Sequence, residues 1–369
     1  MIPVAEPSFD EAEIANVTQA IRSGWISSKG KFIPEFEELF SSWCNVKHGV
    51  ATSNGTTALH LALVALGIGP GDEVIVPTLT FAATANVAIY TGAKPVLVDS
   101  HPDYWCMDPA AVEAAITPRT RVIMPVHLYG HPCDMGAIQD IARKHNLLIV
   151  EDAAESHGAE YKGKKAGSFG IISCFSFYGN KIITTGEGGM CLTDDGALAA
   201  KMRILRDHGM NPGRRYWHDI VGFNYRMTNM QAAVGVAQMG KIERFIDKKI
   251  QIASWYRDEL RTMAAADIIK FHPAMDWAKC VYWMFSILIG PKATKGRDEL
   301  IEALYTEGIE SRPLFHCLHL MPPYMSEKAF PVAEGLSPGG VNLPSGVNLT
   351  EEEVRKVAAA VSKVLQARV

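Results

Sequence analysis

One lysine, Lys181, lies in a stretch whose residue types are suited to covalent chemistry. It occurs in FSFYGNKIITTGEGG (residues 175–189), between an apolar run and a loop of threonines and glycines. A lysine is strongly hydrated and is seldom buried unless it is paired or reacts. Two interpretations follow. Either Lys181 is a surface residue in a turn, or its amine is held in a closed site, where a lowered pKa lets it form a Schiff base with an aldehyde cofactor.

A carboxylate, that of Asp152, ends the apolar run LLIVED (residues 147–152). Ligands of parallel sheets bind at the carboxyl ends of the strands, and a carboxylate there is costly to desolvate unless a cation faces it. A protonated pyridine nitrogen is such a cation. The alternative is an aspartate that caps the following loop.

Two other segments are suited to a flat, phosphorylated ligand. SNGTTALHLAL (residues 53–63) enters a predicted helix through Gly55 and Thr56, and free backbone N–H groups at a helix start form an anion site. The lysine and the spacing of a Walker phosphate loop are absent. Phe81, in PTLTFAATAN, follows a strand and could stack on a planar ring. The alternatives are an ordinary capped helix and a phenylalanine of the core.

These residues follow or precede regularly spaced apolar runs. The runs are EVIVP, KPVLVD, RVIMPVH, LLIVED, ISCFSF and GGMCLT, all between residues 73 and 193. Helical patterns such as TALHLALVAL and MGAIQDIARKHN separate several of them. Continuous apolar strands that alternate with helices predict an α/β fold, with a mainly parallel sheet covered on both faces.

The pattern changes after about residue 240, and we predict two domains. Residues 1–240 form a large α/β domain with an N-terminal arm, and residues 241–369 form a smaller α+β domain with a long first helix and a strand-like VYWMFSILIG. Capping-box patterns are present near both ends of the chain, at Ser8 with Glu11 and at Thr350 with Glu353.

The composition is that of an ordinary globular protein. Of 369 residues, 48% are hydrophobic and 21% charged, which is sufficient for a large core. The net charge of −4 does not indicate nucleic acid as a partner. The seven cysteines include no CxxC pair, so no metal site is expected. The first residues lack a signal-peptide pattern and the apolar segments are too short to span a membrane, so we expect a cytoplasmic protein without a membrane partner.

In this chain order, the glycine-containing helix start, the aromatic residue, the strand-end aspartate and the later lysine resemble the fold-type-I enzymes that use pyridoxal 5′-phosphate (PLP). Within them the chain resembles the DegT-type nucleotide-sugar aminotransferases over essentially its whole length. The matching stretches are GWISSKG, SNGTTAL, PTLTFAATAN, PVHLYGHPCDM, VEDAAESHGA, FSFYGNKIITTGEGG and GFNYRMTNMQAAVG. The resemblance implies a seven-stranded, mainly parallel sheet between helices. It also implies PLP as the cofactor, with pyridoxamine phosphate as its intermediate form.

The resemblance also assigns roles to individual residues. Lys181 is the catalytic lysine that binds PLP covalently, and Asp152, also catalytic, pairs with the pyridine nitrogen. Family members usually have glutamine or glutamate at the position of Glu155, close to the cofactor. The other implied cofactor contacts are Gly55, Thr56 and Ser176 at the phosphate, Phe81 on the ring, and Asn229 from the neighbouring subunit of a homodimer with shared active sites.

The implied reaction is transfer of an amino group from L-glutamate to C4 of a nucleotide-linked 4-keto-6-deoxysugar. Within the family, SRPLFHCLHLMPPY (residues 311–324) favours a GDP-linked sugar, with dTDP- and UDP-linked sugars as alternatives. Related sugar dehydratases have histidine in place of the lysine, so Lys181 favours amino transfer. A non-catalytic regulator on the same scaffold is a further alternative, in which the lysine, the aspartate and the phosphate site have no use. The candidate substrate-binding residues are Trp25, His157, Tyr225, Arg312 and His316.

Overall fold

The chain folds into one large sheet, two smaller sheets and the helices that cover them. The computed structural model describes residues 1–366. Its strands are β1 His48–Thr52, β2 Glu73–Pro77, β3 Lys94–Val98, β4 Thr120–Ile123, β5 Leu148–Asp152, β6 Glu160–Tyr161, β7 Lys164–Lys165, β8 Ile172–Ser176, β9 Gly189–Thr193, β10 Ile269–Phe271, β11 Ala278–Lys279, β12 Phe285–Ile289, β13 Arg312–Pro313 and β14 Gly340–Leu343.

The helices lie mainly between these strands. They are α1 Glu11–Ser23, α2 Phe32–Trp43, α3 Gly55–Ala65, α4 Ala83–Tyr90, α5 Pro109–Ala114, α6 Met135–His145, α7 Gly196–Arg206, α8 Asn229–Met239, α9 Ile242–Glu259, α10 Arg261–Ala265, α11 Arg297–Thr306, α12 Pro331–Leu336 and α13 Glu351–Leu365. None of the helices in residues 1–366 has both the length and the apolar character needed to cross a bilayer.

The large sheet has seven strands in the order β1-β9-β8-β5-β4-β2-β3. The neighbours from β8 to β3 are parallel, whereas β9 pairs antiparallel with both β8 and β1. The predicted α/β class with a mainly parallel sheet is therefore confirmed. Strand β1 was not predicted, because HGVAT comes before the regular alternation of strands and helices.

Apolar side chains cover both faces of this sheet. Along β2, Ile75 belongs to one buried cluster, whereas Val74 and Val76 belong to another. Ile149 and Val150 of β5 divide in the same way. Because successive side chains of a strand point to opposite faces, the two clusters are the two sides of the sheet. This double burial explains why the strands are continuous apolar runs.

The C-terminal part is built around an antiparallel sheet with the strand order β10-β12-β14-β13. Helices α9, α11 and α13 contribute to a third apolar cluster beside it. The N-terminal arm joins this part, since Ile2 forms a bridge with Ile309 and the amide of Ser345 donates to the carbonyl of Val4. The division at residues 240 and 241 stays a prediction.

The two predicted capping boxes have different outcomes. The one at Thr350 and Glu353 is confirmed at the start of α13. The one at Ser8 and Glu11 is wrong, because the N-cap of α1 is Asp10 and its reciprocal partner is Glu13. Asp10 has an extended backbone and its carboxylate accepts from the first turn, so the helix starts two residues later than the pattern indicated.

Candidate active site

A cavity of about 530 Å³ lies where the carboxyl ends of the parallel strands meet α3 and the C-terminal part. Its floor includes the end of β5, the end of β8 and the start of α3. Such an edge is where parallel sheets bind ligands. The structure brings eight of the predicted site residues to this cavity: Gly55, Thr56, Phe81, Asp152, Glu155, Ser176, Lys181 and Arg312.

Asp152 is held at the end of β5 by two donors. The hydroxyl of Thr84 donates to Oδ2 at 2.8 Å, and the amide of Ala154 donates to Oδ1 at 3.2 Å. Burial nevertheless raises the pKa of Asp152, although the donors and the charge of Lys181 oppose this effect. The carboxylate is therefore fixed in direction and stabilised by any cationic group that enters the cavity.

The start of α3 has the form of an anion site. Asn54 caps the helix in a reciprocal box with Thr57, so the N–H groups of Gly55 and Thr56 occupy the first helical positions, which have no intrahelical acceptor. A Cβ atom at Gly55 would lie 2.8 Å from the Cβ of Ser176. Only glycine therefore allows the helix start to approach the serine hydroxyl this closely.

Lys181 occupies a turn directly after β8, with its amide donating to the carbonyl of Tyr178. Its Nζ lies 3.6 Å from the centroid of the Trp283 ring. Within the described part of the chain the amine makes no hydrogen bond or ion pair. Burial lowers the pKa of Lys181, against the opposing charges of Glu155 and Asp152. The amine is thus unpaired and closer to its nucleophilic form than a surface lysine is.

Glu155 faces the same amine from the loop after β5. The amide of Tyr129 donates to its Oε2 at 2.7 Å. Burial raises the pKa of Glu155 to about 7, although the charge of Lys181 lowers it. The carboxyl group therefore changes protonation in the neutral range, where it can exchange a proton with a reacting group.

Four aromatic side chains form one wall of the cavity. Phe81 contacts Phe315 at 5.8 Å between ring centroids, Phe315 stacks on Tyr129 at 5.1 Å, and Tyr129 stacks on Trp283 at 6.2 Å. Tyr129 has a positive φ of 52°, an uncommon conformation for a residue other than glycine. Sequence reasoning missed Thr84, Tyr129, Trp283 and Phe315. The local signal was the occurrence of Thr84, Tyr129 and Phe315 inside stretches that resemble the family.

The structure does not bring five of the predicted residues to this cavity. Two of them, Asn229 and Trp25, lie together in a separate surface depression. The amide of Asn229 is buried and already paired, because its Nδ2 donates to the carbonyl of Trp25 and its Oδ1 accepts from the amide of Phe32. In this chain, Asn229 therefore fixes the loop before α2.

The other three are His157, Tyr225 and His316. His157 is fully buried among Phe40, Phe175 and Phe177, and neither ring nitrogen is hydrogen-bonded within residues 1–366. Burial lowers the pKa of His157 to about 3, so the ring is neutral.

Tyr225 and His316 lie elsewhere on the molecule. The hydroxyl of Tyr225 pairs with Nδ1 of His60 at 3.0 Å, and its ring stacks on Phe223. His316 is exposed and lies near Asp298, whose pKa is lowered mainly by the hydrogen bond from Arg297. Neither side chain lines the cavity in this conformation of the chain.

The sequence model of the DegT/DnrJ/EryC1/StrS aminotransferase family matches residues 7–362. The chain belongs to this family. GDP-perosamine synthase from Caulobacter vibrioides is 52% identical over 366 residues, which cover 99% of this chain and 98% of that protein. The X-ray structure of DesV from S. venezuelae, in complex with a ketimine intermediate, has a TM-score of 0.89 and 36% identity. The match covers 95% of this chain and 93% of the DesV chain.

A further solved structure of similar fold is a PLP form. The PLP form of the sugar aminotransferase Spr1654 from Streptococcus pneumoniae has a TM-score of 0.91 and 28% identity, over 99% of this chain and 100% of that one. The predicted family, the aminotransferase activity and the PLP cofactor are thereby confirmed: the chain is a PLP-dependent aminotransferase.

The residues of the cavity fit this cofactor. The glycine-containing start of α3 and Ser176 suit a phosphate. The directed carboxylate of Asp152 suits a protonated ring nitrogen, and the unpaired amine of Lys181 suits an aldehyde. The role of each residue stays a prediction.

Proposed function

We propose that this chain transfers the amino group of L-glutamate to C4 of GDP-4-keto-6-deoxy-D-mannose and so makes GDP-perosamine. The observation that carries the amino transfer is the unpaired Lys181 amine in one cavity with Asp152 and the start of α3. The sugar is supported by the 52% identity to a GDP-perosamine synthase over nearly the full length of both chains. A dTDP- or UDP-linked keto sugar is the alternative.

Five residues hold the cofactor in this proposal. The N–H groups of Gly55 and Thr56 bind the phosphate together with the hydroxyl of Ser176, since all three line the same end of the cavity. Phe81 covers a ring face. Asp152, directed by Thr84, holds the proton on the ring nitrogen. When bound, PLP supplies an aldehyde that accepts the amino group and a protonated ring that accepts electrons from the neighbouring carbon.

Lys181 is the proton carrier of both half-reactions. Its Nζ takes a proton from Cα of glutamate in the first and delivers a proton to C4 of the sugar in the second. An amine with a lowered pKa can serve as base and as acid near neutral pH. Glu155, whose pKa is raised to about 7, lies beside the same atoms and buffers the charge of the amine.

We also propose a homodimer with shared active sites, acting in the cytoplasm in the biosynthesis of lipopolysaccharide O-antigen. The homodimer is supported by two observations. Asn229 and Trp25 do not line the active-site cavity of their own chain, and Trp25 is 56% exposed. We infer that this region completes the phosphate site of a second copy. The substrate contacts of Arg312, His157, Tyr225 and His316 stay predictions.

Subunit mixing tests the shared site. If Asn229 acts on the neighbouring cavity, K181A and N229A are each inactive alone. A mixture of the two then recovers roughly a quarter of wild-type turnover, because half of the dimers are mixed and each has one intact site. No recovery with folded, dimeric variants contradicts the sharing of sites.

The reaction is tested by the visible absorption spectrum of the PLP-loaded protein. Titration with L-glutamate should remove the band of the lysine-bound cofactor, and GDP-4-keto-6-deoxy-D-mannose should restore it. The dTDP-linked 4-keto-6-deoxy sugar is the matched control. Restoration by the dTDP sugar alone contradicts the GDP assignment but keeps the aminotransferase. Absence of the band in PLP-loaded protein contradicts the role of Lys181.

A further inference from the structure

The Lys181 amine lies over an aromatic face. Nζ lies 3.6 Å from the centroid of the Trp283 ring, which is within the range of a cation–π interaction. Asp152 and Glu155 act on the amine through their charges only, with no ion pair formed within residues 1–366. An indole is the strongest of the aromatic side chains in this interaction, and the attraction increases when water is excluded.

Trp283 is held in place from three directions. Its Nε1–H donates to the carbonyl of Asn180, the residue before Lys181, at 2.9 Å. Its ring stacks on Tyr129 at an angle of 17°. Its backbone carbonyl accepts from Nζ of Lys249 at 2.7 Å. The side chain is only 5% exposed. The ring face is therefore a fixed surface and not a mobile side chain that meets the amine by chance.

We propose that Trp283 is a positioning residue that holds the unbonded ammonium of Lys181 over its ring face, inside the cavity. This inference rests on the proposed function, in which Lys181 is released from the cofactor and must stay within reach of the carbon that gains or loses a proton. A lysine side chain has four rotatable bonds and would otherwise occupy many rotamers. The ring restricts the ammonium without a directed hydrogen bond or an ion pair.

The ring also favours the charged form of the amine. A face that attracts the ammonium but not the neutral amine raises the pKa of Lys181 relative to a site without the ring. Removal of the ring should therefore lower this pKa further. If Trp283 only packs the cavity wall, its removal should reduce stability but leave the protonation of the amine where it is. The two roles are thus separable by measurement.

The test is acetylation of Lys181 by a trace of acetic anhydride between pH 5 and pH 11, read by mass spectrometry of the Lys181 peptide. The full-length chain is loaded with pyridoxamine phosphate, which leaves the lysine unbonded. In W283L the labelling curve should move to lower pH by about one unit. In W283F, which keeps a ring face but loses the bond to Asn180, the curve should move by clearly less.

The matched control is W255L. Trp255 of α9 lies 4.2 Å from Nζ of Lys248, packs against the third apolar cluster and does not line the cavity, so its removal should leave the Lys181 curve unchanged. If W283L does not fold, replacement of tryptophan by 5,7-difluorotryptophan weakens the negative ring face but keeps its shape. This replacement should move the curve in the same direction.

An unchanged curve in folded W283L, or in the fluorinated protein, overturns the proposal. So does an equal displacement in W283F and W283L, because the bond to Asn180 would then be the operative contact. The measurement uses neither glutamate nor a nucleotide sugar. The labelling result for Trp283 can therefore be interpreted even if the proposed reaction is wrong. Conversely, an unchanged labelling curve does not contradict the proposed reaction.

Discussion

Two lysines contact Trp283, and their surroundings differ. The amine of Lys181 faces the ring in an open cavity, with two carboxylates nearby and no hydrogen bond within residues 1–366. The amine of Lys249 is buried and donates to the carbonyls of Trp283 and Ser345 and to the hydroxyl of Ser345. Burial lowers the pKa of both, that of Lys249 to about 7.

The difference shows what distinguishes a reactive lysine from a structural one. A lowered pKa is common to both and therefore does not identify the reactive group. Three oxygen acceptors hold the amine of Lys249 in one position, where it joins α9 to the segment just before β12 and to the segment just after β14. The amine of Lys181 has no such acceptors, so it can bond to a ligand. The following substitutions change either the Lys181 amine and its neighbours or the Lys249 amine.

The largest effect is expected for Lys181→Ala. Without the amine, turnover should fall by about 10²–10⁴-fold, as for other general acid–base groups, while PLP still binds without a covalent bond. Steady-state rates and the visible spectrum measure both effects. K248A, which removes a half-buried lysine of α9 that does not line the cavity, is the control. Wild-type turnover in K181A contradicts the assignment of the reactive lysine.

Asp152→Asn should reduce turnover by about 10²–10³-fold. The amide keeps the shape of the carboxylate and can still accept from Thr84, but it does not hold a proton on the ring nitrogen. Stopped-flow rates of the glutamate half-reaction measure the change, and circular dichroism checks that the fold is intact. An unchanged rate shows that Asp152 does not act on the ring nitrogen.

Lys249→Met should act on stability and not on chemistry. The carbonyls of Trp283 and Ser345 lose their donor while buried, which should lower the free energy of unfolding by about 2 kcal/mol. Urea denaturation of the PLP-loaded variant measures it. Under native conditions the lysine-bound band should persist, as in K248M. Loss of the band without loss of stability contradicts the structural role of Lys249.

An effect on stability that depends on pH is expected for Glu155, one of the carboxylates near Lys181. Its pKa is raised from 4.5 to about 7, so between these values the folded chain keeps a proton that the unfolded chain has lost. The group contributes stability below pH 4.5 that is lost as the pH rises to about 7. The unfolding free energy of the wild type relative to E155Q should therefore fall by about 3 kcal/mol across this window. A constant difference in urea titrations at pH 4.5, 5.5, 6.5 and 7.5 contradicts the raised pKa.

Much of the fold could be predicted, because the two buried faces of the sheet require continuous apolar strands and these stand out in the sequence. The site was predictable wherever its residues follow strand ends or begin a helix. Asp152, Ser176 and the start of α3 are of this kind, and all of them line the cavity. The edge strand β1 was not predicted because it precedes the regular alternation of strands and helices.

The misplaced and missed residues have a common cause. His157 belongs to a matching stretch, but the turn after β5 directs it into an aromatic cluster of the core. Trp283 comes about a hundred residues after Lys181, in a segment whose pattern indicates only a buried strand. The local pattern around Lys181 does not indicate Trp283, and the pattern around Trp283 does not indicate Lys181. Their contact forms because the C-terminal part packs against the edge of the large sheet.

The sequence by itself determined the family, the order of the strands along the chain and the lysine, aspartate and glycine that suit PLP. These features depend on residue type and on neighbours within a few positions. Only the tertiary structure decided that Thr84 directs Asp152, that Tyr129 binds Glu155 and that Trp283 faces the amine of Lys181. Those contacts join distant segments, and their geometry depends on how the sheet and the C-terminal part pack together.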